Sequence, residues 1–228
     1  MTMDTRPVFF FDIDNCLYPK SRRVHNYMSD LIDKYFETHL ELSQQEANEL
    51  HLRYYKDYGL AIEGLVRHHK VDPLEYNRQV DDALPLEEIL EPNEKLRQML
   101  EDIDRSKVRL WLFTNAYITH GKRVVKILEI EDMFEGITFC DYGARPFICK
   151  PAPAMFAKAM REAGVDKRED CYFVDDSGSN IVGAKAYGWT AVHLVEHDAV
   201  APPTPAGHHQ IMQLEELRQI FPQFFKSS

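Results

Sequence analysis

Three stretches of the chain are apolar at nearly every position, and each breaks off on a polar pair. Val8-Phe9-Phe10-Phe11 runs into Asp12-Ile13-Asp14, Val108 to Phe113 runs into Thr114-Asn115, and Cys171 to Val174 runs into Asp175-Asp176. An unbroken apolar run, unlike an alternating one, predicts a strand buried on both faces, as in a parallel sheet covered by helices. Two weaker strands are expected over 137–140 and 190–194, the second just after the helix stop Gly188. Helical spacing fills the gaps: His120 to Leu128 carries Val124, Val125 and Leu128 on one face, and Pro153 opens a helix that Gly164 closes. A short last helix is expected from Leu214 to Ile220. Strand and helix in alternation predict an α/β fold with a Rossmann-like parallel sheet.

The stretch after the first strand has another character. Val24, Tyr27, Met28, Leu31, Ile32, Tyr35 and Phe36 repeat at helical spacing, and Ser43 with Glu46 offers a capping box for a second helix. Gly59 and Gly64 interrupt a third helical segment, Asp72-Pro73 opens a fourth, and Pro85 and Pro92 punctuate the return. Residues 21–90 are therefore expected to form an all-helical cap, inserted into an α/β core made of 1–20 and 91–228. The alternative is that these helices pack on the sheet within one domain. The proline-rich stretch from Ala199 to Gly207 is expected to be a surface loop.

Composition narrows the classes without choosing among them. At 228 residues the chain can bury a substantial core, and 44% hydrophobic with 28% charged residues is ordinary for a globular protein. The net charge of -10 disfavours a nucleic-acid or anionic-membrane binder that works by bulk electrostatics. No stretch approaches the roughly 20 apolar residues of a membrane span, and residues 1–6 lack the apolar core of a signal peptide, so a cytoplasmic location is expected, with the nucleus also open. Cys16, Cys140, Cys149 and Cys171 lack paired spacing, which points to reduced thiols. No exposed heptad is evident, and a monomer is expected.

The candidate chemistry sits at the strand ends, where parallel sheets hold their ligands. Neighbouring buried carboxylates repel, and a divalent cation with a nearby positive charge resolves the conflict. Asp12 is a candidate nucleophile towards phosphorus. Asp14, two residues on and on the same side of an extended chain, is a candidate general acid and base, provided its surroundings raise its pKa towards the working pH. Thr114, with Asn115 beside it, can offer a hydroxyl and backbone N–H groups to phosphate oxygens. Lys150 supplies a point cation, and Asp175 and Asp176 complete an oxygen-only shell that suits Mg2+. Tyr54, Tyr55 and Tyr58 are candidates for stacking on a base from above, although core packing is the commoner fate of aromatics at helical spacing. The histidine pairs 68–69 and 208–209 lack metal-ligand spacing and are assigned no role.

In that order and at those junctions, Asp12-Ile13-Asp14, Thr114, Lys150 and Asp175-Asp176 resemble the four motifs of the haloacid dehalogenase superfamily. The segments Phe10 to Tyr18 and Tyr172 to Asn180 are similar, more narrowly, to fungal pyrimidine 5′-nucleotidases. The resemblance implies a helical cap of the first type and Mg2+ as cofactor. It makes Asp12 the phosphoryl acceptor, Asp14 the general acid and base with its backbone carbonyl on the metal, Thr114 the holder of the phosphoryl group, and Lys150 the bridge to the nucleophile. Asp176 aligns with the metal carboxylate, Asp175 is a ligand or stands behind one, and Asn180 orients that shell. Asn15-Cys16 departs from the glycine and threonine of many relatives. The function so implied is a Mg2+-dependent phosphomonoesterase acting on a nucleoside 5′-monophosphate such as UMP or CMP. Sugar phosphates, pyridoxal phosphate and lysophosphatidate are the runner-up substrates. A carbon–halogen hydrolase, which needs neither magnesium nor a second aspartate, and a non-catalytic binding module are the readings from other classes.

Overall fold

Successive side chains of β1 (Val8–Phe11) enter two different cores: Phe9 and Phe11 join one apolar cluster, Val8 and Phe10 the other. That division is the physical content of an apolar run without alternation. In this computed structural model, which describes residues 4–196 and 204–227, β1 pairs in parallel with β2 (Arg109–Phe113) on one side and β4 (Cys171–Asp175) on the other. Phe10 thus lies in register with both Trp111 and Phe173. With β3 (Ile137–Thr138), β5 (Thr190–Leu194) and β6 (His209–Ile211) the sheet is all-parallel, in the order β3-β2-β1-β4-β5-β6. The chain works outward from β1 to β3, then returns beside β1 to start β4. The carboxyl ends of β1 and β4 therefore flank the switch point at which open α/β sheets form a crevice.

Helices cover both faces of the sheet. α6 (Glu94–Glu101), α7 (Ile118–Ile127) and α10 (Leu217–Ile220) pack on the Phe9 side; α8 (Pro153–Ala163) and α9 (Gly178–Tyr187) pack on the Phe10 side, with Trp189 stacked on Phe10. Four differences from the sequence reading have local causes. β3 stops at Thr138, and α7 begins two residues before the expected His120, at Ile118. β6 has two exposed polar residues out of three, which leaves no apolar pattern to read, and α6 announces itself only through its Asn93 cap. Residues 199–203 of the expected proline-rich loop lie outside the described residues, as do residues 1–3.

The stretch between β1 and β2 forms a third apolar cluster built on Phe36, Tyr54, Ile62, Leu65 and Tyr76. It comprises α1 (Val24–Leu40), α2 (Gln44–Tyr58), α3 (Ala61–His68) and α4 (Pro73–Gln79). The start signals act as their chemistry requires: Ser43 and Glu46 close a reciprocal capping box, and Asp72 accepts the Leu74 N–H at 2.9 Å. Gly59 ends α2 at φ +83°, a left-handed conformation that favours glycine. Gly64 lies inside α3 because the Tyr54 ring is pressed against it, where a Cβ would stand 2.2 Å from Cγ. Leu84, Leu86 and Leu90, which bracket α5 (Leu86–Ile89), pack instead with the Phe9 side of the sheet. No helix of the described residues is long and apolar enough to cross a membrane.

Candidate active site

Lys150 organises the mouth of the sheet. Its backbone is clamped by Asn115, whose Nδ2 donates to Lys150 O at 3.0 Å while Lys150 N donates to Asn115 Oδ1 at 2.7 Å. Its ammonium donates to Asp12 Oδ1 at 2.7 Å, Asp175 Oδ2 at 2.7 Å and Phe113 O at 2.8 Å. Those are all three donors an ammonium has. Burial alone would favour the neutral amine, but the Asp12 and Asp175 carboxylates outweigh it and hold Lys150 charged, its pKa above the usual lysine value. One cation does not balance the acids gathered here. Burial, then the charge of Asp175, pushes the Asp12 carboxyl well above its ordinary range, with Lys150 offsetting only part of the effect.

Asp175 has no exposed surface, and its two oxygens already accept from Lys150, the Ser177 N–H and the Asn180 amide. Asp176, raised to about 6 by burial and by Asp175, has an ion pair to Lys20 at 2.9 Å. One oxygen each from Asp12, Asp175 and Asp176 lie within 4.8 Å of one another. This donor set fits a hard divalent cation: it is all oxygen, more negative than Lys150 can offset, and burial with mutual repulsion raises the Asp12 and Asp176 carboxyl groups, a conflict that a cation would relieve. Asp176 keeps more lone pairs available than Asp175, whose acceptor sites are filled.

Asp14 faces the same opening from the next turn. Its Oδ1 accepts from Tyr18 Oη at 2.6 Å and from His120 Nε2 at 2.7 Å. Burial would raise its pKa, but the charge of His120 and the hydrogen bonds from His120 and Tyr18 prevail and hold it below the usual carboxylate value. This corrects the sequence reading, which required a raised pKa: the resting Asp14 is a carboxylate. A second correction concerns Thr114. Its backbone N–H is spent on Thr138 O at 3.0 Å, and its Oγ1 accepts the Ala116 N–H, so the hydroxyl proton is what it can offer a ligand. Asn115, expected to contact phosphate, gives both ends of its side-chain amide to Lys150.

A cavity of about 820 Å³ opens between these strand ends and the helical insertion. Asp12, Asp14, Thr114, Asn115, Lys150, Asp175, Asp176 and Asn180 all line it. Of the three tyrosines singled out from the sequence, Tyr55 and Tyr58 line it too, Tyr55 half-exposed and Tyr58 paired to His68 at 2.6 Å. Tyr54 does not: it is 5% exposed, packs on Phe36 and meets His69 at 2.9 Å, so its place is the core of the insertion. Glu63, buried on α3 and ion-paired to Arg67, adds a carboxylate to the cavity wall. Cys16 is buried beside Val174 O, and burial pushes its thiol well above the ordinary range, which keeps the reactive thiolate away. All four cysteines are buried and unpaired.

A sequence model of the haloacid dehalogenase-like hydrolases matches residues 7–188, which spans every element carrying these groups. The chain belongs to that family. It is 42% identical over 201 residues to Phosphate metabolism protein 8 of Saccharomyces cerevisiae, covering 84% of this chain but only 62% of the yeast protein. It is 28% identical over 198 residues to glyceraldehyde 3-phosphate phosphatase of Pyrococcus abyssi, covering 81% of this chain and 79% of that one. A haloacid dehalogenase-family phosphatase from Thermococcus onnurineus shares the fold, with a TM-score of 0.63 at 19% identity over 94% of this chain and 97% of that one.

Several groups of this family member escape a reading of the sequence. Tyr18 and His120 meet at Asp14 only after folding, which also brings Asp81 near His120. His120 sits four residues before Val124 on the buried face of α7, which is the one signal a sequence carries for it. Lys20 and Glu63 look like surface charges until folding brings them to Asp176 and to the cavity.

Proposed function

We infer that this hydrolase is a Mg2+-dependent phosphomonoesterase that works through an aspartyl-phosphate on Asp12 and acts on nucleoside 5′-monophosphates, UMP and CMP first. The observation that carries it is the disposition of Asp12: one oxygen is fixed by Lys150, and Oδ2, which takes no hydrogen bond among the described residues, belongs to a cavity ringed by acids that Lys150 only partly offsets. In the first step Oδ2 attacks phosphorus in line, the bond to the leaving oxygen breaks, and Asp14 gives that oxygen a proton. In the second, Asp14 takes a proton from water as the water attacks phosphorus, and the bond to Asp12 breaks to release inorganic phosphate. Lys150 and the Thr114 hydroxyl stabilise the charge on the transferring oxygens. A bound Mg2+, held by Asp12, Asp176 and the Asp14 backbone carbonyl with Asp175 behind them, would add positive charge at the same place. Asp14 rests ionised, so it needs a proton for the first step; a phosphate dianion bound beside it raises its affinity for one.

The insertion, taken as a cap over residues 21–90 on a core of 1–20 and 91–228, chooses the leaving group. The cavity volume suits a ligand of nucleotide size, and its wall supplies aromatic faces from Tyr55 and Tyr58 with a buried carboxylate at Glu63. Planar rings against which a base stacks, beside an acceptor for its edge, support a nucleoside over an aliphatic alcohol. The test is phosphate release from UMP, CMP, purine monophosphates, sugar phosphates, pyridoxal phosphate and lysophosphatidate, with Mg2+ and with a chelator. Fastest release from a pyrimidine nucleotide, abolished by the chelator, is the expected result. Release from no ester, or a rate indifferent to the chelator, overturns the reading.

A further inference from the structure

His120 is buried, belongs to a core helix and touches the candidate acid and base directly, while its other ring nitrogen, Nδ1, has no partner. A second buried orphan stands nearby: Oδ2 of Asp81, in the turn that follows α4 of the insertion. Buried polar atoms without partners are costly and rare, and two of opposite capacity in one neighbourhood explain each other. Each also bears on the other electrostatically. His120 is close enough to act on Asp81 through its charge, and the Tyr142 hydroxyl and the Tyr117 N–H also bear on the Asp81 carboxyl group. If His120 were a neutral ring donating through Nε2, its bare Nδ1 would confront the Asp81 carboxylate. One water bridging a protonated Nδ1 to Oδ2 removes that conflict.

We propose that His120 is the positioning residue for Asp14 and that Asp81 of the insertion fixes the imidazole from behind. The consequence lies in which oxygen of Asp14 carries the proton. Oδ1 accepts from both Tyr18 and His120, so its lone pairs are committed, and Oδ2 is left to exchange a proton with the leaving oxygen and then with water. Without His120 the carboxyl group is free to rotate, and the oxygen facing the cavity is no longer defined. The insertion thereby reaches the proton-transfer group through a single ring, and a shift at Asp81 is felt at Asp14.

This assignment rests on the phosphatase reading above, and the experiment separates the two. kcat/KM, which reports phosphoryl transfer to the enzyme, is measured with Mg2+ for p-nitrophenyl phosphate, whose leaving group departs without a proton, and for UMP, whose alkoxide needs one. For His120→Leu the expected loss is roughly 100-fold on UMP and under about 5-fold on the aryl ester, in line with the usual worth of a placed general acid. His120→Gln, which keeps a donor near the Nε2 position, is expected within about 10-fold of wild type on both esters, and Asp81→Asn is expected to lose roughly 5-fold on UMP alone. Equal losses on the two esters, or none, overturn the positioning role of His120, and an Asp81→Asn rate equal to wild type overturns that of Asp81. A wild-type enzyme inactive on both esters sinks the phosphatase reading and this assignment with it.

Discussion

The two walls of the cavity are built on different principles. At the strand ends, hydrogen bonding is nearly complete: Lys150 uses every donor, Asp175 fills its acceptor sites, and Asn115 and Asn180 have no task but to hold them. On the insertion wall Glu63 pairs with Arg67, whose guanidinium stands 5.0 Å over the ring of Tyr58, and Tyr58 pairs with His68, while the half-exposed Tyr55 has no side-chain hydrogen bond among the described residues. A network of buried charges tolerates little displacement, because each member is the compensation for another. Groups with an exposed partner, such as Arg67, are exchanged at less cost. Chemistry common to a family belongs on the first wall and choice of leaving group on the second.

The sharpest way to break this contrast is to remove the strand-end cation. Lys150→Met leaves Asp12 and Asp175 buried without compensation, and the expected cost is about 3–5 kcal/mol in urea unfolding together with complete loss of turnover; a small cost would mean the network is looser than described. Asp12→Asn is expected to do the opposite to stability. It abolishes turnover by roughly 10⁴-fold or more, yet the melting temperature at neutral pH in a chelator holds or rises, because the ionised Asp12 is disfavoured in the folded state.

A pH series tests the two walls against each other. Asp176 and Asp81 both have carboxyl pKa values raised from 3.8 to about 6. The folded protein therefore holds protons that the unfolded chain has released, so these groups make stability fall as pH rises from about 4 to 6, by on the order of 2–3 kcal/mol each. Asp176→Asn and Asp81→Asn should each flatten that fall in unfolding measured without divalent ions. Mg2+ should abolish the share of Asp176 and leave that of Asp81; a fall unchanged by either substitution would contradict the assigned causes. The smallest effect is expected on the insertion wall. Tyr55→Ala should lower kcat/KM for UMP by roughly 10-fold, the usual worth of one stacked base, and leave p-nitrophenyl phosphate within about 2-fold.

The same contrast explains what could be read from the letters. Phe10 and Phe11 ending on Asp12 are visible because a strand buried on both faces cannot carry an aspartate without a reason, and the same logic exposes Thr114 and Asp175. The parallel sheet and the helices α1 to α4 follow from apolar period and from caps at Ser43 and Asp72, which act within a few residues. Tyr54 and Tyr55, by contrast, are adjacent in sequence and identical in type, yet one enters the core of the insertion and the other the cavity. Tyr54 continues the buried face of α2 formed by Ala47 and His51 and meets Gly64, whereas Tyr55 is turned one step round the helix. Asp14 shows a further limit: its depressed pKa depends on Tyr18 and His120, and the second of these lies 106 residues away. β6 left no trace because an edge strand of three residues needs no apolar alternation.

If Asp12 takes the phosphoryl group, that group can be trapped on it. The enzyme is mixed with UMP and Mg2+, quenched in acid during turnover, digested and sequenced by mass spectrometry. The expected result is the added mass of one phosphoryl group on Asp12, absent after Asp12→Asn. Turnover accompanied by a phosphoryl group on another residue, or by none on Asp12 at the earliest quench times, would contradict it.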